Sequence, residues 1–269
     1  TMGAWFAGGC CGTTPAHIQA MVEKCKEITP VPIAPKNYTF VTSYSTAVEL
    51  GGRPVIIGER INPTGKSKFK QALRDHNIDY ILEEGVKQED SGAHILDVNV
   101  GLPEIDEAAM METIVYELQS IMPIPLQIDT TNMEAMERAL RIYNGKPMIN
   151  SVNGKAEIME QVFPLVKKYG AAVVGLTLDE NGIPPKAEDR FKIAQRILER
   201  AQAIGIPKEN VYIDCLTLTA SAEQEGVMET LNAVYRVKHE LGLKTVLGVS
   251  NISFGLPNRV LVNHIFLTM

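Results

Sequence analysis

Acids and carboxamides stand at the ends of short apolar runs throughout this chain. Glu59 and Asn62 follow PVIIG (54–58), Asp97 and Asn99 lie within HILDVNV (94–100), and Asp129 with Asn132 ends PLQIDT (125–130). Asn150 and Asn153 close PMINSV (147–152), Asp214 sits in VYIDCLTL (211–218), and Ser250 with Asn251 ends TVLGVSNI (245–252). A carboxylate accepts hydrogen bonds from amino and ring N–H groups, while a carboxamide offers a donor and an acceptor together. Converging on one place, such groups suit a flat heterocycle with an amidine edge, of the pterin or purine kind, and repel a free phosphate. Any one of them could simply cap a following helix. Caps, however, need not alternate so regularly with buried apolar runs.

Other combinations fail as chemistry. GERINPTGKS (58–67) ends like a phosphate-binding loop, but Arg60 occupies the first required glycine position and Pro63 interrupts the loop. The five histidines (His17, His76, His94, His239, His264) have no ligand spacing. Cys25 and Cys215 read as packing thiols, and Met110, Met111, Met122 and Met136 as core residues in helical stripes. The adjacent Cys10 and Cys11 suit either a buried apolar pair or two zinc thiolates, and a thiolate site needs at least a third protein ligand.

The elements that must position the polar set follow from periodicity. A further apolar run, AAVVGLTL (171–178), completes seven strands, and helical patterns at 106–121, 133–143, 155–169, 188–204 and 222–241 alternate with them. Strands apolar on both faces, separated by amphipathic helices, mean a parallel sheet with crossover helices. Strand centres recur at roughly 32-residue intervals, the pace of a (β/α)8 barrel, whose active sites lie where the strands end. The stretch 257–269 reads as the seventh helix, so the expectation is an α/β TIM barrel that lacks its eighth βα unit. A doubly wound open sheet is the rival, weakened because no G-x-G-x-x-G follows the first strand.

The first 53 residues differ in texture. Residues 3–12 (GAWFAGGCCG) read as a buried strand entering a glycine turn, Pro15 opens a helix over 15–27, and Pro30, Pro32 and Pro35 mark a stiff linker. The division expected is 1–28 as the end of another domain, 29–53 as linker and lead-in, and 54–269 as the barrel.

Composition removes several function classes. A net charge of −6 lacks the basic field that nucleic acid requires. The 45% hydrophobic and 22% charged content is that of a folded domain. No apolar run approaches the ~20 residues that span a bilayer, and no basic leader precedes residue 17. Four cysteines make no disulfide framework and fit a reducing cytoplasm.

GERIN (58–62), LDVNVG (96–101), IDTTN (128–132), MINSVNG (148–154), IDC (213–215) and GVSNISFG (248–255) together resemble the pterin-binding methyltransferases, which act on methyltetrahydrofolate and corrinoids. GGCCGT (8–13) is similar to the last strand of a homocysteine-binding barrel, the neighbouring domain in cobalamin-dependent methionine synthases. The resemblance implies methyl transfer from N5 of 5-methyltetrahydrofolate to a Co(I) corrinoid, as a cytoplasmic step of methionine biosynthesis. It implies that Asp129, Asn150 and Asp214 bind the pterin edge and that Asn251 lies near N5. Asp97, Asn99, Glu59, Asn62 and Ser250 would line the same pocket, with Asn251 and a water network held by Asp129 doing the catalytic work.

The implied partners are a cobalamin-binding domain or corrinoid protein and an upstream homocysteine domain, and an exposed sheet edge could also pair two copies. Cys10 and Cys11 would be two of three zinc thiolates, with the third upstream, so Zn2+ is expected only in a longer chain. Two other functions fit parts of the pattern: a folate-binding module without catalysis, and an enzyme like dihydropteroate synthase. The latter would want a TPDSFS-like first loop and a basic residue after the seventh strand, where INPTGKSKF and SNISFG stand instead.

Overall fold

The computed structural model describes residues 6–32, 34 and 38–269, which fall into two compact units divided between Asn37 and Tyr38. In the first unit the expected helix is present as α1 (Pro15–Cys25), with Pro15 at its first turn and the His17 ring accepting from the Thr14 amide at 3.1 Å. The expected strand over 3–12 is not found: residues 6–10 are exposed coil leading to a turn at 11–12, and 1–5 lie outside the described residues. A lone strand has no ladder to satisfy its backbone. Cys25 is exposed rather than packed, whereas Cys215 is buried as expected.

The second unit opens with an antiparallel hairpin, β1 (Thr39–Thr42) and β2 (Ala47–Leu50), where the sequence reading placed linker. The compact unit therefore begins at Tyr38 rather than Pro54. Alternation in TFVT and AVEL turns Val41 and Leu50 inward to join Ile95, Met148, Ala172, Val174 and Tyr212 in one buried cluster. The hairpin is also sewn to neighbouring loops. Thr42 bridges Lys146, the Tyr143 hydroxyl donates to the Thr42 carbonyl at 3.0 Å, and Lys146 Nζ reaches Thr39 Oγ1 at 2.8 Å and Asn210 Oδ1 at 2.6 Å.

Gly145 makes that seam possible. Its φ of +137° suits glycine, and a Cβ there would lie 2.3 Å from the Thr42 carbonyl oxygen. Gly145→Ala should therefore cost about 3 kcal/mol or more, read as a lowered thermal midpoint. An unchanged midpoint would mean that the hairpin does not close the sheet's amino-terminal end.

The main sheet is seven parallel strands in chain order: β3 (Ile57–Ile61), β4 (Ile95–Val98), β5 (Leu126–Asp129), β6 (Met148–Asn153), β7 (Ala172–Leu176), β8 (Val211–Asp214) and β9 (Lys244–Val246). Among the described residues, β3 and β9 each pair on one side only. Helices α2 (Ser67–Arg74) and α3 (Ile78–Asp90) follow β3. One helix follows each later strand: α4 (Glu107–Ile121), α5 (Met133–Ile142), α6 (Ala156–Tyr169), α7 (Ala187–Ala203), α8 (Glu225–His239) and α9 (Arg259–Thr268).

Strand alternation decides what each face carries. Leu96, Val98, Leu126 and Ile128 pack outward with the first helices, and Ile149, Val173, Val211 and Ile213 with the later ones. The intervening residues face the concave side. Near the hairpin these are apolar, and at the strand ends they are Glu59, Asp97, Gln127, Asp129, Asn150 and Asp214. The fold is thus the expected α/β curled sheet of barrel type, with its polar set gathered at the carboxyl-terminal mouth.

Candidate functional site

Register brings the inward acids together. Asp97 on β4 pairs with Gln127 on β5, and Asp129 pairs with Asn150 on β6. The Gln127 amide donates to Asp97 Oδ1 at 2.5 Å, the Asn150 amide reaches the same oxygen at 3.5 Å, and Asn99 Nδ2 donates to Asp129 Oδ2 at 2.9 Å. Side chains from three neighbouring strands, β4, β5 and β6, therefore form a hydrogen-bonded floor.

The electrostatics of that floor are unusual. Asp97 is only 2% exposed, and burial followed by the neighbouring Asp129 charge holds its pKa well above the carboxylate range. Burial also raises Asp129, opposed by the Asn99 hydrogen bond and reinforced by Glu59. Each carboxylate therefore makes the other harder to ionise. Asp214 stands apart on β8, pushed up to about 6 by burial, with its Oδ1 accepting from the Leu216 amide at 2.7 Å.

Between the two acidic centres runs β7. Val174 pairs with Asn150, and Leu176 pairs with Asp214, so the ground between them is apolar. Adjacent strands lie about 4.8 Å apart, which puts β6 and β8 about 10 Å apart across that apolar strip.

The remaining predicted residues are placed less uniformly. Asn62 is 8% exposed; it donates to Glu59 at 3.3 Å and accepts from the Thr64 amide at 2.8 Å, shaping the first loop. Glu59 is exposed at the mouth. Ser250 and Asn251 lie in a short 3-10 turn, Val249–Ser253, and both are exposed. Asn251 folds back over Gly248, where a Cβ would come within 2.8 Å of its amide nitrogen. One residue of the strand-end series is a cap after all: Asn132 accepts from the amides of Glu134 and Ala135 on α5. Asn153 accepts from the Lys155 amide in the turn just ahead of α6.

Cations at the site escaped the sequence reading. Lys66 donates to the carbonyls of Glu59 (3.2 Å) and Arg60 (2.9 Å), and burial lowers its pKa. Arg259, the basic residue thought missing after the seventh strand, donates to the Ser250 carbonyl at 3.0 Å and to Ser253 Oγ at 3.1 Å. Both stabilise loop backbone, a use that leaves no spacing pattern. Cys10 and Cys11 are exposed, and among the described residues no three His, Cys, Asp or Glu side chains converge to hold a metal. No helix among the described residues is long and apolar enough to cross a membrane.

The curled parallel sheet thus gathers acids and carboxamides at its carboxyl-terminal mouth. A family described as "Pterin binding enzyme" matches residues 58–266, and the chain belongs to that family. It is 34% identical to methionine synthase of Mycobacterium leprae (strain TN) over 286 aligned positions, which cover 98% of this chain and 24% of that protein. Methionine synthase of Mycobacterium tuberculosis (strain ATCC 25618 / H37Rv) is 32% identical, with 98% of this chain and 24% of that protein covered. The chain thus spans about a quarter of the length of these relatives.

Among solved structures, dihydropteroate synthase of Yersinia pestis with a pterine-sulfa conjugate superposes with a TM-score of 0.62 at 16% identity, covering 86% of this chain and 88% of the other. The Xanthomonas albilineans dihydropteroate synthase complex with 7,8-dihydropteroate gives 0.61 at 17% identity, covering 85% and 88%. At such identities the likeness is one of fold.

Proposed function

We propose that this chain binds 5-methyltetrahydrofolate at the sheet mouth and transfers its N5 methyl group to a Co(I) corrinoid, as the folate-binding part of a methionine synthase. The observation that carries the reading is the buried network of Asp97, Asp129, Asn150 and Gln127 facing Asp214 across an apolar strip. A two-ring heterocycle laid over Val174 and Leu176 would meet hydrogen-bonding groups on both sides. Similarity along the whole chain to methionine synthases favours this member of the family over the others.

In the reaction proposed, the N5–CH3 bond breaks, a Co–CH3 bond forms with the electron pair of Co(I), and N5 takes up a proton. Without that proton N5 would leave as an anion, so proton character must develop at N5 in the transition state. The acids gathered at the mouth favour a ring that gains positive charge. The corrinoid is the methyl acceptor, supplied by a cobalamin domain or corrinoid protein. This chain contributes position and field.

Calorimetric titration with (6S)-5-methyltetrahydrofolate, followed by mixing with reduced cobalamin, tests the proposal. Binding with loss of the Co(I) absorbance supports it. Binding without methyl transfer would reduce the chain to a folate-binding module, and pteroate formation from p-aminobenzoate and a dihydropterin pyrophosphate would assign it to the dihydropteroate synthases instead.

A further inference from the structure

Arg190 heads the fully buried side chains by volume among the described residues, and no carboxylate there lies within ion-pair distance of it. Burying a guanidinium without a counter-charge is costly, so its partners should show what it is for. Nε donates to the Pro184 carbonyl at 2.8 Å. Nη1 donates to the carbonyls of Cys215 (3.0 Å) and Leu216 (3.1 Å) and to Thr230 Oγ1 (2.9 Å). Thr230, also fully buried, has the Gly226 carbonyl at 3.0 Å and the same Leu216 carbonyl at 3.3 Å as acceptors for its one hydroxyl proton. Nη1 is thus spent on the two residues that follow Asp214 and on Thr230, while Nη2 is buried with no partner among the described residues.

That turn is held in an unfavourable shape. Leu216 has φ +59°, a left-handed conformation that a branched side chain seldom adopts. This conformation directs the Leu216 amide back onto Asp214 Oδ1 at 2.7 Å. Backbone strain next to a buried polar group persists only where the surroundings over-determine it. Here they do, through Arg190 and Thr230.

We infer that Arg190 is a positioning residue for the pterin site: by gripping the 215–216 carbonyls it keeps Leu216 left-handed, and through the Leu216 amide it fixes the direction of the Asp214 carboxylate. The inference rests on the proposed pterin role of Asp214. A plain stitch between α7, α8 and the sheet would predict lost stability alone. The charged groups involved are few. Asp214 feels Arg190 on α7 and itself raises the adjacent Cys215 thiol, while Arg190 faces Asp214, Glu229 on α8 and Glu223 just before it.

The test compares wild type, Arg190→Lys, Thr230→Val and Asp214→Asn, titrating (6S)-5-methyltetrahydrofolate from pH 5 to 8 beside thermal midpoints. Arg190→Lys keeps a charge but loses the planar fork, and should weaken binding about tenfold. The pH at which binding is half-lost should also rise, because Asp214 loses the amide that favours its ionised form. Thr230→Val should act in the same direction, by about threefold, and decides the matter if Arg190→Lys does not fold. Adding Leu216→Gly to Arg190→Lys should restore part of the affinity, since glycine adopts this φ without strain. A variant that melts lower yet binds with unchanged affinity and pH profile overturns the inference while leaving the pterin reading intact. A folded wild type that binds nothing, or an Asp214→Asn that binds normally, removes the pterin reading and this inference with it.

Discussion

Asp214→Asn is expected to make the protein more stable above pH 6 and to abolish its affinity for 5-methyltetrahydrofolate. Burial lifts the Asp214 carboxyl to about 6, against the opposing pull of the Leu216 amide and Arg190. The folded state therefore holds a proton that the unfolded state has released, and stability from this group falls as pH rises from about 4 through 6. Above that window the native fold carries a buried charge at a cost of about 3 kcal/mol. Asparagine keeps the shape and still accepts from the Leu216 amide, but has no charge to bury. Well below pH 4 the gain disappears, because the aspartate is then protonated in the folded and unfolded states alike. Binding moves the other way: the new Nδ2 would confront an N–H of the ligand with another donor, a mismatch that should weaken binding ~100-fold or more. Calorimetry at pH 5 and pH 7.5 reads both effects. A midpoint lowered at both pH values would make Asp214 a structural residue, and unchanged affinity would exclude it from the site.

That trade between stability and binding was half visible in the sequence. Apolar runs with an acid or amide near their ends announce strands aimed at a common mouth, so Asp97, Asp129, Asn150 and Asp214 could be named from spacing. The seven strands and most later helices followed from the same periodicity. The hairpin did not, because strands of four residues with a short polar connection look like loop until something pairs with them, as Thr42 does with Lys146. Helices α2 and α3 were missed for a related reason: the turn between them is set by His76 at φ 52°, with no glycine or proline to mark it. Asn132 shows the converse case, since a capping amide and a ligand-binding amide have the same sequence signature. Arg190 was invisible because its partners are backbone carbonyls 25 and 26 residues away, and carbonyls carry no residue identity.

The proposed methyl transfer makes a separate demand on Asn251, and here the expected loss is in rate. Asp97, Asp129, Asn150 and Gln127 are bound to one another and cannot follow a changing charge on the substrate. Asn251 differs. Its side chain is exposed on the Val249–Ser253 turn, makes no hydrogen bond among the described residues, and leans over Gly248, where the lack of a Cβ gives it room. An amide with that freedom can accept from N5–H as the proton arrives, an interaction that the unprotonated ground state does not offer. Interactions present only in the transition state lower kcat and leave ground-state affinity nearly untouched when removed. Asn251→Ala should therefore slow single-turnover loss of Co(I) absorbance by ~100-fold while changing the dissociation constant less than about threefold. Asn251→Asp should behave differently from alanine, since a carboxylate would stabilise N5–H in the ground state as well. Binding should then tighten, and the transfer rate should hold to higher pH. If alanine costs affinity and rate equally, Asn251 is part of the binding floor, and the proton at N5 must be held by the water near Asp129 instead.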